Sequence, residues 1–521
     1  MKKRFASRNS IILIVLIVPV FWITGLIAAA RNNSEPNEPN EPGETCWESS
    51  TPEQQGMDSK LLLDMLQKIE KEEIGVRSIL VIRNHRLVLE SYLHPYTREI
   101  PHNTKSASKS IVSALVGIAL REKWIDSLDR TVYSFFPEYF PDAADTRKKE
   151  INLRHLLIMS SGLKIKEQTQ DTERIFDGAN PVKETFAFPM AENPGERFNY
   201  LTPLTLVMVE ILKAASGKSL QEIVDSYLFN PLGIEGVLWK EVPPGYFFTD
   251  ALMRPLDMAK FGVLFLEKGK WQGKQVIPAQ WVEESTQNHL AHQPDAEGPY
   301  GYWWWRSRSR DMFMALGWGG QGIYVWPEEN MVIVTTAADY EKAQSMVFDY
   351  ILPSVKSKGP IPPNPRGVKA LQNVIRRLQS GTSAVLPVTP GPAATLKEIN
   401  GKTYLLEPNI AGLVRLKFQF GDNSCRLTLE SVKGTSEAEV GLDNVYRVSD
   451  SGRYGDMPEH NRLALKGKWK NTNTFFLDFH WLGRPEQGLL DIEFKGEELT
   501  ISGWVLGTDI KFTIQGKRKT E

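Results

Sequence analysis

The chain has 521 residues, 41% of them hydrophobic, and its 62 Lys+Arg against 63 Asp+Glu leave a formal net charge of −1. That length exceeds one ordinary small domain and allows two substantial cores. The balanced charge removes the electrostatic basis for nucleic acid as a default partner. The two cysteines, Cys46 and Cys425, lie far apart and form no CxxC-type metal cluster, and a bridge or two free thiols both fit the sequence.

At the amino end, Lys2, Lys3, Arg4 and Arg8 precede an uncharged stretch, residues 11–30. A helix of that length would span the roughly 30 Å hydrocarbon core, with its basic end held in the cytoplasm. Ala28-Ala29-Ala30 resembles a signal-peptidase site. The expectation is an exported protein whose residues 1–30 are either a signal peptide or a membrane anchor. It would face the periplasm or cell exterior if anchored through residues 11–30, and be secreted if cleaved. Residues 31–50 repeat Asn-Glu-Pro and read as a disordered tether.

Ordered structure is expected from near Pro52. Residues 59–74 have helical apolar spacing. Residues 76–82 and 87–92 read as two strands joined by a turn at Asn84. A helix over 106–120 follows, then an apolar segment at 151–163 in which His155 fits a structural hydrogen-bonding role better than a catalytic one. Pro194-Gly195 marks a turn before Tyr200 and the apolar helix at 204–212. Residues 254–269 form another amphipathic pattern. Tyr300, Tyr302, Trp303, Trp304, Trp305 and Trp318 make an aromatic cluster suited to a packed sheet edge or a pocket wall. The glycines of 317–322 permit either a tight turn or close approach of backbone to a ligand.

The prolines of residues 357–367 break regular structure. Residues 368–378 read as a connecting helix. From about residue 399 the apolar period changes to two, as in Val414, Leu416, Phe418 and Phe420, which predicts a small antiparallel sandwich or barrel.

Ser106 and Lys109 stand one turn apart at the head of the 106–120 helix. The helix start would stabilise negative charge developing beside Ser106. A capping serine followed by a solvated lysine would leave the same trace, so the spacing acquires meaning through its partners. Three boxes occur in order: Ser106-Ala107-Ser108-Lys109, then Tyr200-Leu201-Thr202 after a Pro-Gly turn, then Trp318-Gly319-Gly320 followed by Gln321. Residues 50–355 thereby resemble the penicillin-recognising serine hydrolases, in the class C β-lactamase-related branch. That branch includes D-aminopeptidases, carboxylesterases and 6-aminohexanoate-dimer hydrolases.

The resemblance implies an α+β fold: a β-lactamase/transpeptidase-like catalytic domain with an antiparallel sheet and a helical region at residues 51–356. A Pro-rich linker with a short helix at 357–397 and an all-β accessory domain at 398–521 follow. It implies Ser106 as nucleophile, Lys109 as general base and Tyr200 as proton relay. The backbone N–H groups of Ser106 and Gln321 would form the oxyanion hole. Thr202, Trp303, Trp305, Trp318, Gly319 and Gly320 would line the substrate pocket. No cofactor or metal is implied. Trp318 replaces the cation of a Lys-Thr-Gly box, and Thr202 replaces the asparagine of Tyr-x-Asn. Both departures favour a less polar ester or amide, small molecule or short peptide, over a β-lactam or a peptide carboxylate. A penicillin-binding protein, D-Ala-D-Ala peptidase or β-lactamase is the enzymatic alternative. A non-catalytic, membrane-tethered binding protein on the same scaffold is the other.

Overall fold

The computed structural model describes residues 47–140, 145–242, 246–290, 298–381, 388, 390–409, 411–431, 434–450, 462–506 and 511–519. Helix α1 (Ser59–Lys71) starts at Asp58, whose carboxylate accepts the Lys60 N–H at 2.8 Å. Its Leu62, Met65, Leu66 and Ile69 recur at helical spacing and are buried. Strands β1 (Val76–Arg83) and β2 (Arg86–Tyr92) pair with Arg83 opposite Arg86. The two-residue turn is Asn84-His85, both at positive φ (51° and 57°). A tight hairpin of this twist requires that conformation, and asparagine tolerates it.

The helical region follows β3 (His102–Asn103). It comprises α2 (Ser108–Arg121), α3 (Leu153–Leu157), α4 (Gln170–Asp177), α5 (Pro181–Ala187), α6 (Pro203–Ser216) and α7 (Leu220–Val224). β4 (Leu238–Val242) and β5 (Tyr246–Met253) join β3 in a small sheet. After α8 (Pro255–Leu266) come a short hairpin of β6 (Lys270–Trp271) and β7 (Lys274–Gln275), and then α9 (Ala279–Ser285). β8 (Trp305–Arg306), β9 (Phe313–Gly317), β10 (Gln321–Trp326) and β11 (Met331–Ala337) return to the main sheet. That sheet is antiparallel, in the order β2-β1-β11-β10-β9-β8.

β1 is buried along its whole length. Ile79 and Val81 face a core shared with α1, while Leu80 and Ile82 face the core that holds α2, α6 and α8. Strand alternation thus supplies two cores, one on each face of the sheet. Behind the sheet lie α10 (Tyr340–Met346), α11 (Leu352–Ser354) and α12 (Pro365–Ser380). The short connecting helix expected at 368–378 is sixteen residues long. It buries Leu371, Val374 and Leu378 in the same core as α1, and the Arg377 guanidinium reaches the Glu70 carboxylate at 2.9 Å. It is part of the outer layer that covers the main sheet.

After α13 (Ala393–Ile399) the chain becomes all-β. The strands are β12 (Thr403–Leu406), β13 (Leu413–Phe420), β14 (Ser424–Ser431), β15 (Gly434–Gly441), β16 (Arg447–Asp450), β17 (Arg462–Trp469), β18 (Thr474–Trp481), β19 (Gln487–Lys495), β20 (Glu498–Val505) and β21 (Lys511–Arg518). Sequential neighbours pair except β15 and β16, β12 pairs with β21, and β15 meets β17, so the sheet closes into a barrel rather than a sandwich. Phe418, Phe475, Phe494 and Tyr404 fill its interior. Cys425 is buried there too, and burial pushes its thiol up to about 12. Cys46 lies outside the described residues.

The barrel packs on the unit built around the main sheet through Tyr96 and Ile100 against Ala464 and Leu482. Tyr96 Oη is 2.9 Å from His480 Nδ1, and the other nitrogen of that ring is 2.9 Å from Tyr446 Oη. The Tyr446 hydroxyl donates to Asp478 at 2.6 Å. The Arg77 guanidinium, 1% exposed, donates to the Pro485 carbonyl at 2.7 Å.

The membrane anchor is a correction. Residues 11–30 lie outside the described residues, and no helix among the described residues is long and apolar enough to cross a membrane. The sixteen-residue α12 would reach only about 24 Å, and it is amphipathic. Membrane tethering therefore has no support as a partner or location.

Two outcomes follow from this packing. Leu371→Ala lowers unfolding free energy by about 2–4 kcal/mol in denaturant titration, as for a core leucine and unlike a linker residue. His102 is 1% exposed, and burial, aided by Arg77, depresses its ring to about 3. It stays neutral when folded but takes a proton when unfolded below its ordinary value of about 6.5. Its contribution is complete above that value and is lost as pH falls from about 6.5 towards 3, at ~1.4 kcal/mol per unit. Denaturation midpoints at pH 7 and pH 5 should differ less in His102→Phe than in the unsubstituted protein.

Candidate active site

Ser106 sits in a single 3-10 turn, Lys105–Ala107, that runs directly into α2. The chain enters this turn at Lys105 with φ 50°, a left-handed conformation costly for a side chain with a Cβ. Asn103 Oδ1 accepts the Lys105 N–H at 2.8 Å, and Asn103 Nδ2 donates to Asp250 at 3.1 Å. The turn is thus braced from β3 and β5. From Ser108 to Ala119, α2 is buried, so its first turn points its polar side chains into the protein.

Lys109 is 1% exposed, and its Nζ lies 2.9 Å from Ser106 Oγ. The i, i+3 spacing places the two on one helical face. Nζ also lies 3.3 Å from Thr202 Oγ1 and 5.1 Å from the centre of the Tyr200 ring. Thr202 precedes α6, whose first residue is Pro203, a residue preorganised for that position. The starts of α2 and α6 therefore converge, and Ser106, Lys109, Tyr200 and Thr202 meet at one point.

The Tyr200 ring stacks on Trp305 at 6.0 Å, and Tyr300 meets Trp305 edge-on at 4.7 Å. Burial raises the Tyr300 phenol well above its ordinary value. Tyr200 and Trp305 are half-buried and form an aromatic wall beside the pair. Trp303 does not belong to that wall. It is 2% exposed, donates its indole N–H to Leu156 O at 3.1 Å, and accepts the Ser110 hydroxyl at 2.7 Å through its carbonyl. Trp303 thus ties α3, through its indole N–H, to α2, through its backbone carbonyl.

The tip of the β9–β10 hairpin carries the third box. A Cβ on Gly317 would fall 2.2 Å from the Thr104 carbonyl oxygen and 3.2 Å from Ala107 N. Glycine is needed there so that the strand can lie against the Ser106 turn. Trp318 is half-buried, with Lys105 Nζ 5.9 Å from its ring centre. Gly319 and Gly320 take φ of 79° and 95°. Gly320 faces Ala343 and Ala337, on the sheet's far side, and Gly319 faces Pro485 of the barrel. Gln321 stands opposite Gly317 in the ladder, 1% exposed, and its side-chain amide donates to Ala337 O at 2.6 Å.

Glu167 was not legible in advance. It is half-buried, and its Oε2 accepts the Thr202 N–H at 2.9 Å. One acidic residue in a polar loop carries no sequence signal of that contact. His155 completes a capping box with Asn152 at the start of α3, a structural role.

These elements fall within the segment, residues 66–352, that matches the family model described as Beta-lactamase, more than half of the chain. The chain belongs to the β-lactamase family. Its fold and kinship are those of a serine-hydrolase-type enzyme superfamily with esterase, amidase and β-lactamase branches. A 6-aminohexanoate-dimer hydrolase of Paenarthrobacter ureafaciens is 24% identical over 300 residues, which cover 52% of this chain and 74% of that one. A crystal structure assigned as a β-lactamase from Bacteroides dorei has a TM-score of 0.50 at 18% identity, covering 58% of this chain and 100% of that one. An octameric penicillin-binding protein homologue from Pyrococcus abyssi has a TM-score of 0.43 at 17% identity, covering 88% and 99%.

Within this β-lactamase-family fold, Gly317→Ala drives a methyl group into the Thr104 backbone. It should cost about 1–3 kcal/mol or more in thermal or denaturant unfolding, because backbone cannot rotate aside.

Proposed function

We propose that the protein hydrolyses an ester or amide through an acyl-enzyme on Ser106. The observation that carries this reading is the 2.9 Å contact between Ser106 Oγ and the amine of Lys109, in a site where that amine is almost wholly removed from water. Ser106 Oγ attacks the carbonyl carbon as its proton passes to the Lys109 amine, acting as the general base. The tetrahedral intermediate collapses, and the leaving alcohol or amine takes that proton, with Tyr200 beside the pair as the relay. A water then attacks the acyl carbon, gives up a proton along the same route, and frees the acid and Ser106.

The oxyanion would be held by backbone N–H groups at the head of α2 and at the hairpin tip. Ser106 supplies the first. For the second we assign Trp318 in place of Gln321. Gly317 brings the start of the tip against the Ser106 turn, whereas Gln321 lies across the ladder with its side chain turned to Ala337.

Charge supports a substrate without a carboxylate near the scissile bond. The third box has Trp318 in place of a cation. Lys105, next to the nucleophile, is held by Glu486 at 3.1 Å and Asp250 at 3.5 Å. An incoming anion would meet two carboxylates for one ammonium. The Tyr200–Trp305 wall offers apolar area instead.

The test uses p-nitrophenyl esters of graded chain length with the unsubstituted protein and Ser106→Ala. Turnover should fall more than about 1000-fold in the variant, with an acyl group found by mass spectrometry on Ser106 in the unsubstituted protein. Nitrocefin should turn over poorly. Equal ester turnover in both proteins would refute the reading, and stable acylation by penicillin would redirect it to the penicillin-binding branch.

A further inference from the structure

The segment between β18 and β19 of the barrel reaches out of its own domain and touches the approach to the nucleophile at three places. The Gly483 carbonyl accepts the Asn103 N–H at 2.6 Å. Pro485 lies against Gly319, where an added Cβ would come within 2.7 Å of its ring. Glu486 Oε1 lies 3.1 Å from Lys105 Nζ. These contacts flank Ser106 in the chain, through Asn103 and Lys105, and in space, through the hairpin tip. The segment is itself shaped for this reach. Gly483 takes φ 85°, and a Cβ there would fall 2.6 Å from the Pro101 carbonyl oxygen.

We propose that this barrel segment is a working part of the active site, and that Glu486 is a positioning residue which holds the Ser106 turn through Lys105. The proposal rests on the hydrolase reading above. The physical case begins with the backbone. Lys105 is held at φ 50°, a conformation that is disfavoured in isolation and persists only where the surroundings over-determine it. Asp250 alone reaches its ammonium at 3.5 Å, beyond hydrogen-bond range, whereas Glu486 makes the close contact. Glu486 Oε2 is buried and has no hydrogen-bond partner among the described residues, so the carboxylate has Lys105 to compensate its loss of water. Burial is the largest influence and would raise that carboxyl, but the Lys105 charge, joined by hydrogen bonds from Lys105 and from the Glu486 backbone and by the Arg484 charge, holds the group below the usual carboxylate range. Releasing this tie frees the residue next to the nucleophile. Displacement of a reacting atom by an ångström is enough to slow an oriented attack strongly.

The experiment compares the full chain with Glu486→Gln, Glu486→Asp and Tyr446→Phe. The last loosens the same interface at the Asp478 and His480 contacts, away from Lys105. Two quantities are read: hydrogen exchange of the peptide spanning residues 103–109, and kcat and KM on a p-nitrophenyl ester. Glu486→Gln should speed exchange in that peptide about tenfold and lower kcat roughly 10- to 100-fold, with KM within about twofold. Glu486→Asp should recover part of both, and it carries the same comparison if the glutamine variant does not fold. Tyr446→Phe should leave both readouts near the unsubstituted values even where it lowers the melting temperature. Unchanged exchange in Glu486→Gln, or equal losses in Glu486→Gln and Tyr446→Phe, would overturn the proposal. If the unsubstituted protein turns nothing over, the hydrolase reading fails by itself, and the exchange rates still decide whether Glu486 holds the turn.

Discussion

An amine taken almost entirely out of water must find its partners inside the protein or it destabilises the fold. Lys109 is in that position, and its neighbours come from separate stretches of chain: Ser106 one turn earlier, Tyr200 and Thr202 at the entry to α6. The requirement reaches outward. α2 and α6 must start at the same point, so each packs its apolar face into the common core. Thr202 must present its hydroxyl inward, and Glu167 takes its backbone N–H in return. The Ser106 turn must be approached by backbone on its other side, which admits glycine at 317 and excludes a Cβ.

The same constraint explains how the aromatic residues divide. Tyr200 and Trp305 stay half-buried and form a stacked aromatic wall beside the serine–lysine pair. Trp303 and Trp304, adjacent in sequence to Trp305, serve the core instead: Trp303 through its bond to Leu156, Trp304 by packing on Phe261 and Phe265. Three consecutive tryptophans thus divide between core and surface wall: Trp303 and Trp304 are buried, and Trp305 is half-buried. A barrel that would otherwise be a remote accessory becomes continuous with the site in the same way, through one segment whose glycine allows it to fold back on Pro101.

Much of this was legible in the residues. Helical spacing marked α1, Asn84 marked the first hairpin, and the change to a two-residue apolar period marked the all-β unit. The Ser106 and Lys109 spacing, with Tyr200 and the glycine-rich tip in order, pointed to the residues that the fold gathers. What could not be read has a common cause: it depends on partners distant in the chain. α12 looked like a linker helix because its buried face, Leu371, Val374 and Leu378, has meaning only beside α1. Sandwich and barrel share one strand pattern, and the choice rests on β12 meeting β21. The apolar stretch at residues 11–30 suggested an anchor, yet membrane attachment finds no support among the described helices.

The sequence by itself determined the types of element, the one-turn spacing of Ser106 and Lys109, and the lack of a cation in the third box. These are local properties: they follow from periodicity, from turn residues and from side-chain type at short spacing. The tertiary structure decided which side chains face the serine and which are sealed in the core, that Gln321 braces the hairpin, and that Glu486, 381 positions after Lys105 in the numbering, closes on that lysine. Such contacts are set by how sheets and helices stack and close. Burial and charge pairing then give each residue a role that its neighbours in sequence do not reveal.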